Sequence, residues 1–435
     1  MRIFLSFAVA FTLLLTAVSA QTSQQSEPQT IAECLKAAQQ HAERQVEEAR
    51  KAGQKPDYNA YFAQAKEIAK KYAARFKVQE VNEADLPTLA QLYMQADQPA
   101  LAREAINRRL KSASLSESER ADALVFAVGI AMNGSPSDEN IKLGEDLTAQ
   151  VDALSSAVIK QKISGHSRMA GYYGYADIDE PNMAHNATVL KLISQLPTEE
   201  RNKYARQSAV AYDRIALVQA NRGLTDKALE TLRQGKAEIA SVNANAAAAL
   251  GRAIERYSLI GKPGAALKGT YWINAAPETK QLDLRGRVTL IQFTAHWCGP
   301  CRKSYPAMLK FHEQFNGRGL NVMMVTQLYG YFSTRQNLKP EEEMAANREY
   351  YLEHHKLPFK IAVEPQLDFS DRAAAEAAQR EMNDGKYVVG GIPQIVLLDK
   401  QGVIRQILIG WDPANEARIT KLIEQLLKEP AVATR

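Results

Sequence analysis

Val288-Thr289-Leu290-Ile291-Gln292-Phe293-Thr294, then Ala295-His296, then Trp297-Cys298-Gly299-Pro300-Cys301: on this stretch the reading of the fold turns. Its first seven residues are a short, mostly apolar run, the pattern of a buried strand. Two cysteines three positions apart can close a small disulfide ring or open to a dithiol. At the first turn of a helix, unpaired backbone N–H groups and the helix dipole would stabilise the Cys298 thiolate. A lowered pKa raises the thiolate fraction near neutral pH, and the thiolate is the nucleophile of disulfide exchange. Redox chemistry is the first expectation.

Outward from the cysteines, short apolar runs alternate with helical patterns. Tyr305, Met308, Leu309 and Phe315 give the following segment an apolar helical face, and residues 320–325 read as the next strand. Ile395-Val396-Leu397-Leu398 is a continuous apolar strand, turned by Asp399-Lys400-Gln401-Gly402 into another over residues 403–409. Asp412 and Pro413 read as N-cap and first position of a last helix, whose stripe is Ile419, Leu422, Ile423 and Leu426. This order predicts a central mixed sheet flanked by helices over residues 260–430. Ile260-Gly261-Lys262-Pro263-Gly264 breaks the preceding pattern and marks the boundary.

Residues 29–259 are rich in Ala, Leu, Glu, Lys, Gln and Arg, so an α-helical domain is expected there. Leu89, Leu92, Tyr93 and Ala96 share one helical face; Asp97-Gln98-Pro99 is a turn, and Ala102, Ala105 and Ile106 make a second face. Ala209, Tyr212, Ile215 and Ala216 repeat the pattern before a break at Asn221-Arg222-Gly223, and Ala228, Leu229 and Leu232 follow. These pairs weakly resemble tetratricopeptide-type hairpins, and an irregular helical domain fits equally. Peptide binding, dimerisation and spacing all remain open as its role.

Residues 1–20 read as a secretory signal: Arg2, an apolar run from Ile3, then Val18-Ser19-Ala20 before a cut at Gln21. Residues 21–28 form a polar linker, and no second long apolar segment follows. The expectation is a mature chain outside the cytoplasm, with no integral membrane span. A net charge of +5 over 435 residues gives no reason to invoke nucleic acid or an anionic membrane surface. With only three cysteines, the chain is no disulfide-stapled scaffold, and Cys34 reads as a buried helix residue. Zinc is not expected, since four-ligand sites usually need a second close pair and His354-His355 reads as solvated surface. No cofactor is expected either.

Residues 260–430 resemble the thioredoxin superfamily, and more narrowly the extracytoplasmic TlpA/ResA-like thiol–disulfide oxidoreductases. The residues that carry this are Ile260-Gly261-Lys262-Pro263, Leu284-Arg285-Gly286-Arg287, Phe293, the Trp297–Cys301 motif, Pro306, and Gly391-Ile392-Pro393 ahead of a strand. The resemblance implies that Cys298 attacks a substrate disulfide and that buried Cys301 resolves the mixed disulfide, the two forming a Cys298–Cys301 disulfide in turn. It also implies an exposed Cys298 and a cis-proline at Pro393 facing it. Trp297 would shield one side, Gly299 and Pro300 would shape the first helical turn, and the Ile392 backbone would pair with an extended substrate. Gly-Pro between the cysteines and Ile before Pro393 resemble reducing thioredoxins. That implies disulfide-bearing protein substrates and a membrane electron donor of the DsbD or CcdA type. A disulfide oxidase or isomerase remains open, as does a periplasmic adaptor whose thioredoxin fold is only a binding surface.

Two positions depart from relatives. Gln292 stands where thioredoxins keep a buried Asp, and Ser304 where reductive ResA-like proteins keep a Glu. Either another carboxylate, with Glu364 as the example, or water takes the Cys301 proton, or resolution is slower than in relatives. Pro393 follows Cys301 by 92 positions, so an insertion is expected, with helices near residues 341–354 and 370–382. Its aromatic cluster Tyr329-Gly330-Tyr331-Phe332 would either line a substrate surface or pack the insertion.

Overall fold

The computed structural model describes residues 27–52 and 57–430; the signal segment expected over residues 1–20 lies outside them. The chain divides into two compact units, residues 1–112 and 113–435. No helix among the described residues is long and apolar enough to cross a membrane.

The first unit is helical: α1 (Ile31–Lys51), α2 (Tyr58–Ala73), α3 (Leu86–Gln95) and α4 (Pro99–Leu110). Thr30 and Glu33 form a capping box at the start of α1, satisfying two orphan N–H groups. Cys34 is fully buried on α1, as its place in the sequence suggested. Asp97, at φ +59°, makes the turn between α3 and α4.

The second unit begins with α5 (Glu117–Ala131), α6 (Asp138–Asp152), α7 (Ile159–Ala176), α8 (Asp179–Ser194), α9 (Thr198–Lys203), α10 (Ala205–Asn221), α11 (Thr225–Ile239) and α12 (Ala244–Tyr257). A buried histidine pair ties α6, α7 and α8 together. His166 and His185 meet Nδ1 to Nδ1 at 2.8 Å, with His166 Nε2 3.1 Å from Asp152 and His185 Nε2 3.0 Å from Glu145. Three hydrogen bonds across two imidazoles need three protons, so the full set forms when the pair carries one positive charge.

Strands β1 (Leu267–Lys268), β2 (Tyr271–Ile273), β3 (Gln281–Leu282) and β4 (Val288–Phe293) lead to α13 (Gly299–Phe315). Next come β5 (Leu320–Gln327), β6 (Tyr331–Phe332), β7 (Arg335–Gln336), α14 (Pro340–Arg348), a π-helical turn (Glu349–His354) and β8 (Lys360–Glu364). The chain ends with α15 (Arg372–Glu381), α16 (Asn383–Lys386), β9 (Gln394–Leu398), β10 (Ile404–Ile409) and α17 (Glu416–Lys428). The central sheet has six strands in the order β10-β9-β4-β5-β8-β2. β4, β5 and β8 are parallel, while β9, β10 and β2 run antiparallel to their neighbours.

Every residue of β4 is buried, as a central strand covered on both faces requires. Leu290, Met324 and Ile361 share one face and pack with Phe311 of α13 and Ile419 and Ile423 of α17. Ile291, Phe293, Met323, Val325 and Ala362 share the other, in one apolar cluster with Ala209, Tyr212, Leu232, Leu250 and Tyr257. Helices α10 to α12 are therefore a layer of the redox fold and cover its second sheet face. β8 and β2 escape the sequence pattern, because Ile361-Ala362-Val363 and Tyr271-Trp272-Ile273 are too short for periodicity to register.

Candidate active site

Cys298 is the N-cap of α13, with extended backbone at φ −77° and ψ 99°. Its Sγ accepts the backbone N–H of Cys301 at 3.1 Å. The sulfur therefore sits where orphan N–H groups and the helix dipole stabilise negative charge. Gly299 and Pro300 occupy the first two helical positions, where the missing N–H of proline costs nothing. The two cysteines are disulfide-bonded. Cys301 is wholly buried, and Cys298, expected to be exposed, is only 3% so. Its sulfur turns inward to Cys301, and its side chain joins the apolar cluster that holds Ile392 and Trp411. Trp297, at 48% exposed, is the open face of the motif.

The Ile392–Pro393 bond is cis. Gly410 N donates to Pro393 O at 2.9 Å, and the Gln394 side chain accepts from Gly390 N and donates to Tyr387 O, fixing the loop. Among the described residues, the N–H and C=O of Ile392 make no hydrogen bond. Pro300, Ile392 and Pro393 line one cleft of about 520 Å³.

The far wall of that cleft is helical. Asp177, at φ +59° after α7, lies 3.6 Å from Lys303 Nζ of α13. Asn221, at the end of α10, donates its amide to Ile409 O at 3.1 Å and accepts Ile409 N at 3.2 Å. That side chain occupies the hydrogen-bonding edge of β10 as a further strand would. Gln406 of β10 donates to Ala220 O at 2.7 Å. None of these partners carries a sequence motif, since each pair is more than 100 residues apart.

Beneath Cys301, Gln292 and Ser304 are fully buried and satisfy each other. Ser304 Oγ lies 3.0 Å from Gln292 Oε1 and 2.7 Å from Cys301 O, while Gln292 Nε2 is 3.4 Å from Cys301 O. Glu364 does not replace the missing acid. It shares the sheet face of Ala362 and Val325, while α13 lies on the opposite face with Ile361 and Met324. Strand alternation carries it away from Cys301, and its Oε1 instead accepts Asn383 N at 2.7 Å. A Gln292→Asp variant is therefore expected to speed release of a mixed disulfide at least about tenfold at pH 7 to 8, because a buried carboxylate with a raised pKa is a competent base. Stopped-flow tryptophan fluorescence would read this step, and unchanged kinetics would show that water already suffices.

The aromatic loop packs against the residues just ahead of Cys298. His296 stacks on Phe332 with centroids 4.4 Å apart and meets Tyr331 edge-on at 5.3 Å, while Trp297 meets Tyr329 edge-on at 5.5 Å. Burial pushes His296 down to about 4, so the ring is neutral at pH 7. Glu343, on α14 and almost fully buried, accepts Tyr329 N at 2.8 Å and Gly330 N at 2.7 Å and pins the loop. In the sequence His296 is marked only by its place beside the cysteine motif, and Glu343 lies in no motif at all. His355, read as solvated, packs edge-on to Tyr305 and Tyr350, while His354 is exposed.

Residues 272–423 match the Redoxin family. The thiol-disulfide oxidoreductase ResA of Bacillus cereus is 23% identical over 128 residues, covering 29% of this chain and 58% of its own. The thiol:disulfide interchange protein DsbE of Pseudomonas aeruginosa is 27% identical over 175 residues, covering 40% of this chain and 80% of its own. The chain thus spans less than two thirds of the ResA relative's length. A solved thioredoxin-like superfamily protein, SPOA0173, aligns at 24% identity and a TM-score of 0.29, over 39% of this chain and 98% of that one. With a Cys-Gly-Pro-Cys helix N-cap, a cis-proline loop and the Redoxin family match, residues 272–423 form a redoxin domain of the thioredoxin superfamily, similar to ResA and DsbE.

Proposed function

We propose that this protein is an extracytoplasmic thiol–disulfide oxidoreductase that reduces disulfides in protein substrates. One observation carries the reading: Cys298 caps α13 with its sulfur on the Cys301 N–H, the position that favours a thiolate. In the reduced protein the Cys298 thiolate attacks a substrate disulfide sulfur and one substrate sulfur leaves as thiolate. The Cys301 thiol, losing its proton, attacks Cys298 and releases the second substrate sulfur. Two electrons pass to the substrate and the Cys298–Cys301 disulfide remains. Trp297 shields the site, Gly299 and Pro300 shape the turn, and Ile392 beside cis-Pro393 offers backbone groups to the substrate.

The names of the ResA and DsbE relatives support the exchange chemistry. The signal-like residues 1–20 support the compartment, and a membrane thiol donor of the DsbD or CcdA type would return the electrons. Insulin-disulfide reduction and a redox titration test this. The expected midpoint lies nearer thioredoxin's about −270 mV than DsbA's about −120 mV. A DsbA-like value would make the protein an oxidase, and no exchange at all would sink the enzyme reading.

A further inference from the structure

The cleft beside Pro393 continues past Gly390 into a second hollow of about 780 Å³. Val210, Asp213, Arg214, Arg256 and Gly390 line both. The two ends differ in charge. Near Pro300 the walls carry Asp177, Asp179 and Asp412. Asp177 faces Lys303 at 3.6 Å, and Asp179 lies 3.3 Å from the Asn415 amide. Beyond Gly390 the walls carry Arg206, Arg214, Arg252 and Arg256 against a single acid, Asp213. Among the described residues, none of these four arginines has a carboxylate within 4.0 Å.

Arg256 is the informative one. It is only 7% exposed, and its Nε donates to Val388 O at 3.0 Å. A Cβ on Gly390 would fall 1.9 Å from its Nη2, so the guanidinium lies directly on the cis-proline loop. A buried charge without a counter-ion is costly, and an anionic partner removes that cost. Arg214 and Arg252 are exposed on the same wall, one from α10 and one from α12.

We propose that α10 and α12 form the selectivity wall of the substrate cleft, and that the wall takes an extended, acidic peptide segment of the protein being reduced. The inference rests on the thiol–disulfide reading. The substrate cysteine meets Cys298 while its backbone runs past Ile392. Alternate side chains of an extended segment point the same way, at about 3.3 Å per residue, so carboxylates spaced by two face the arginines together. Such charge complementarity acts on specificity and encounter rate.

The test uses the full chain in its oxidised form and two peptides of equal length in which serine replaces the cysteine. One carries Glu at alternate positions and the other Gln. Calorimetry is expected to show the Glu peptide binding at least tenfold tighter at low salt, with the gap shrinking as salt rises. The double variant Arg214→Gln/Arg252→Gln should lose most of that preference with an unchanged thermal midpoint, and Arg214→Lys/Arg252→Lys should keep it. Equal binding of the two peptides, or a preference that survives the Gln variant, overturns the wall. Reduction of hydroxyethyl disulfide by the wild type is scored separately. Its absence alongside a clear Glu preference overturns the oxidoreductase reading and supports the wall; its presence without the preference overturns the wall alone.

Discussion

Cys298→Ser is expected to abolish disulfide exchange, lowering insulin reduction by at least about 10³-fold, because a serine hydroxyl is not ionised at neutral pH and cannot replace a thiolate. The loss should be chemical and not structural. Serine is among the best N-cap residues, so the bond now made from Cys301 N to Cys298 Sγ at 3.1 Å passes to a hydroxyl oxygen. The disulfide closes a ring of sequence separation 3, too short to restrict the unfolded chain much. The thermal midpoint should therefore move little. Cys301→Ser should behave in the opposite way, with attack retained and resolution lost. Cys301 is fully buried, so no external thiol reaches its place readily, and mixed disulfides on Cys298 should accumulate. Non-reducing gels and mass spectrometry of captured partners read this. Insulin reduction persisting in Cys298→Ser, or no adduct on Cys301→Ser, would place the nucleophile elsewhere.

Glu364→Gln should stabilise the protein above pH 7 and leave it unchanged near pH 4. Glu364 is 3% exposed, with one oxygen on Asn383 N and the other without a partner. Burial pushes its carboxyl up to about 7 from an ordinary 4.5. Between those values the folded state holds a proton that the unfolded chain has lost, so stability falls as pH rises through the window. The full loss is about 3 kcal/mol, at about 1.4 kcal/mol per pKa unit. Glutamine carries no charge at any pH and keeps the acceptor for Asn383, so the variant should avoid that loss. Urea unfolding at pH 4, 6 and 8 would show the difference opening with pH. Parallel curves for the two proteins would mean that water reaches the carboxylate. Asp384, pushed up to about 6 by burial, also raises Glu364 through its charge, so the difference between the two proteins reads the titration of the pair.

Much of the redox fold could be read from local pattern. The strand over Val288–Phe293, the helix after the cysteines and the closing hairpin all appear where apolar runs, turn residues and caps placed them. Such elements are legible because their signals lie within a few residues of one another. The insertion was legible only as helices, and its strand β8 and the aromatic packing on His296 were not. Glu343 binding the Tyr329 and Gly330 N–H groups links positions more than a dozen apart, with no motif in either. Glu364 shows the opposite failure. Its residue type suited a proton acceptor, but strand alternation put it on the wrong face.

The sequence by itself determined the chemistry of the centre, because Trp-Cys-Gly-Pro-Cys ahead of a helical run fixes a thiolate-favouring N-cap through covalent spacing alone. Tertiary structure decided what surrounds that centre. Helices α10 to α12 resemble any amphipathic helices in sequence, and only packing shows that they cover the second face of the sheet and that α10 and α12, with α7 and α8, wall the cleft at Pro393. The physical reason is that apolar burial is non-directional: a helical stripe states that a face must be covered, and not which face will cover it. Hydrogen bonds such as Asn221 to Ile409, 188 residues apart, then fix the partner, and those exist only once the chain has folded.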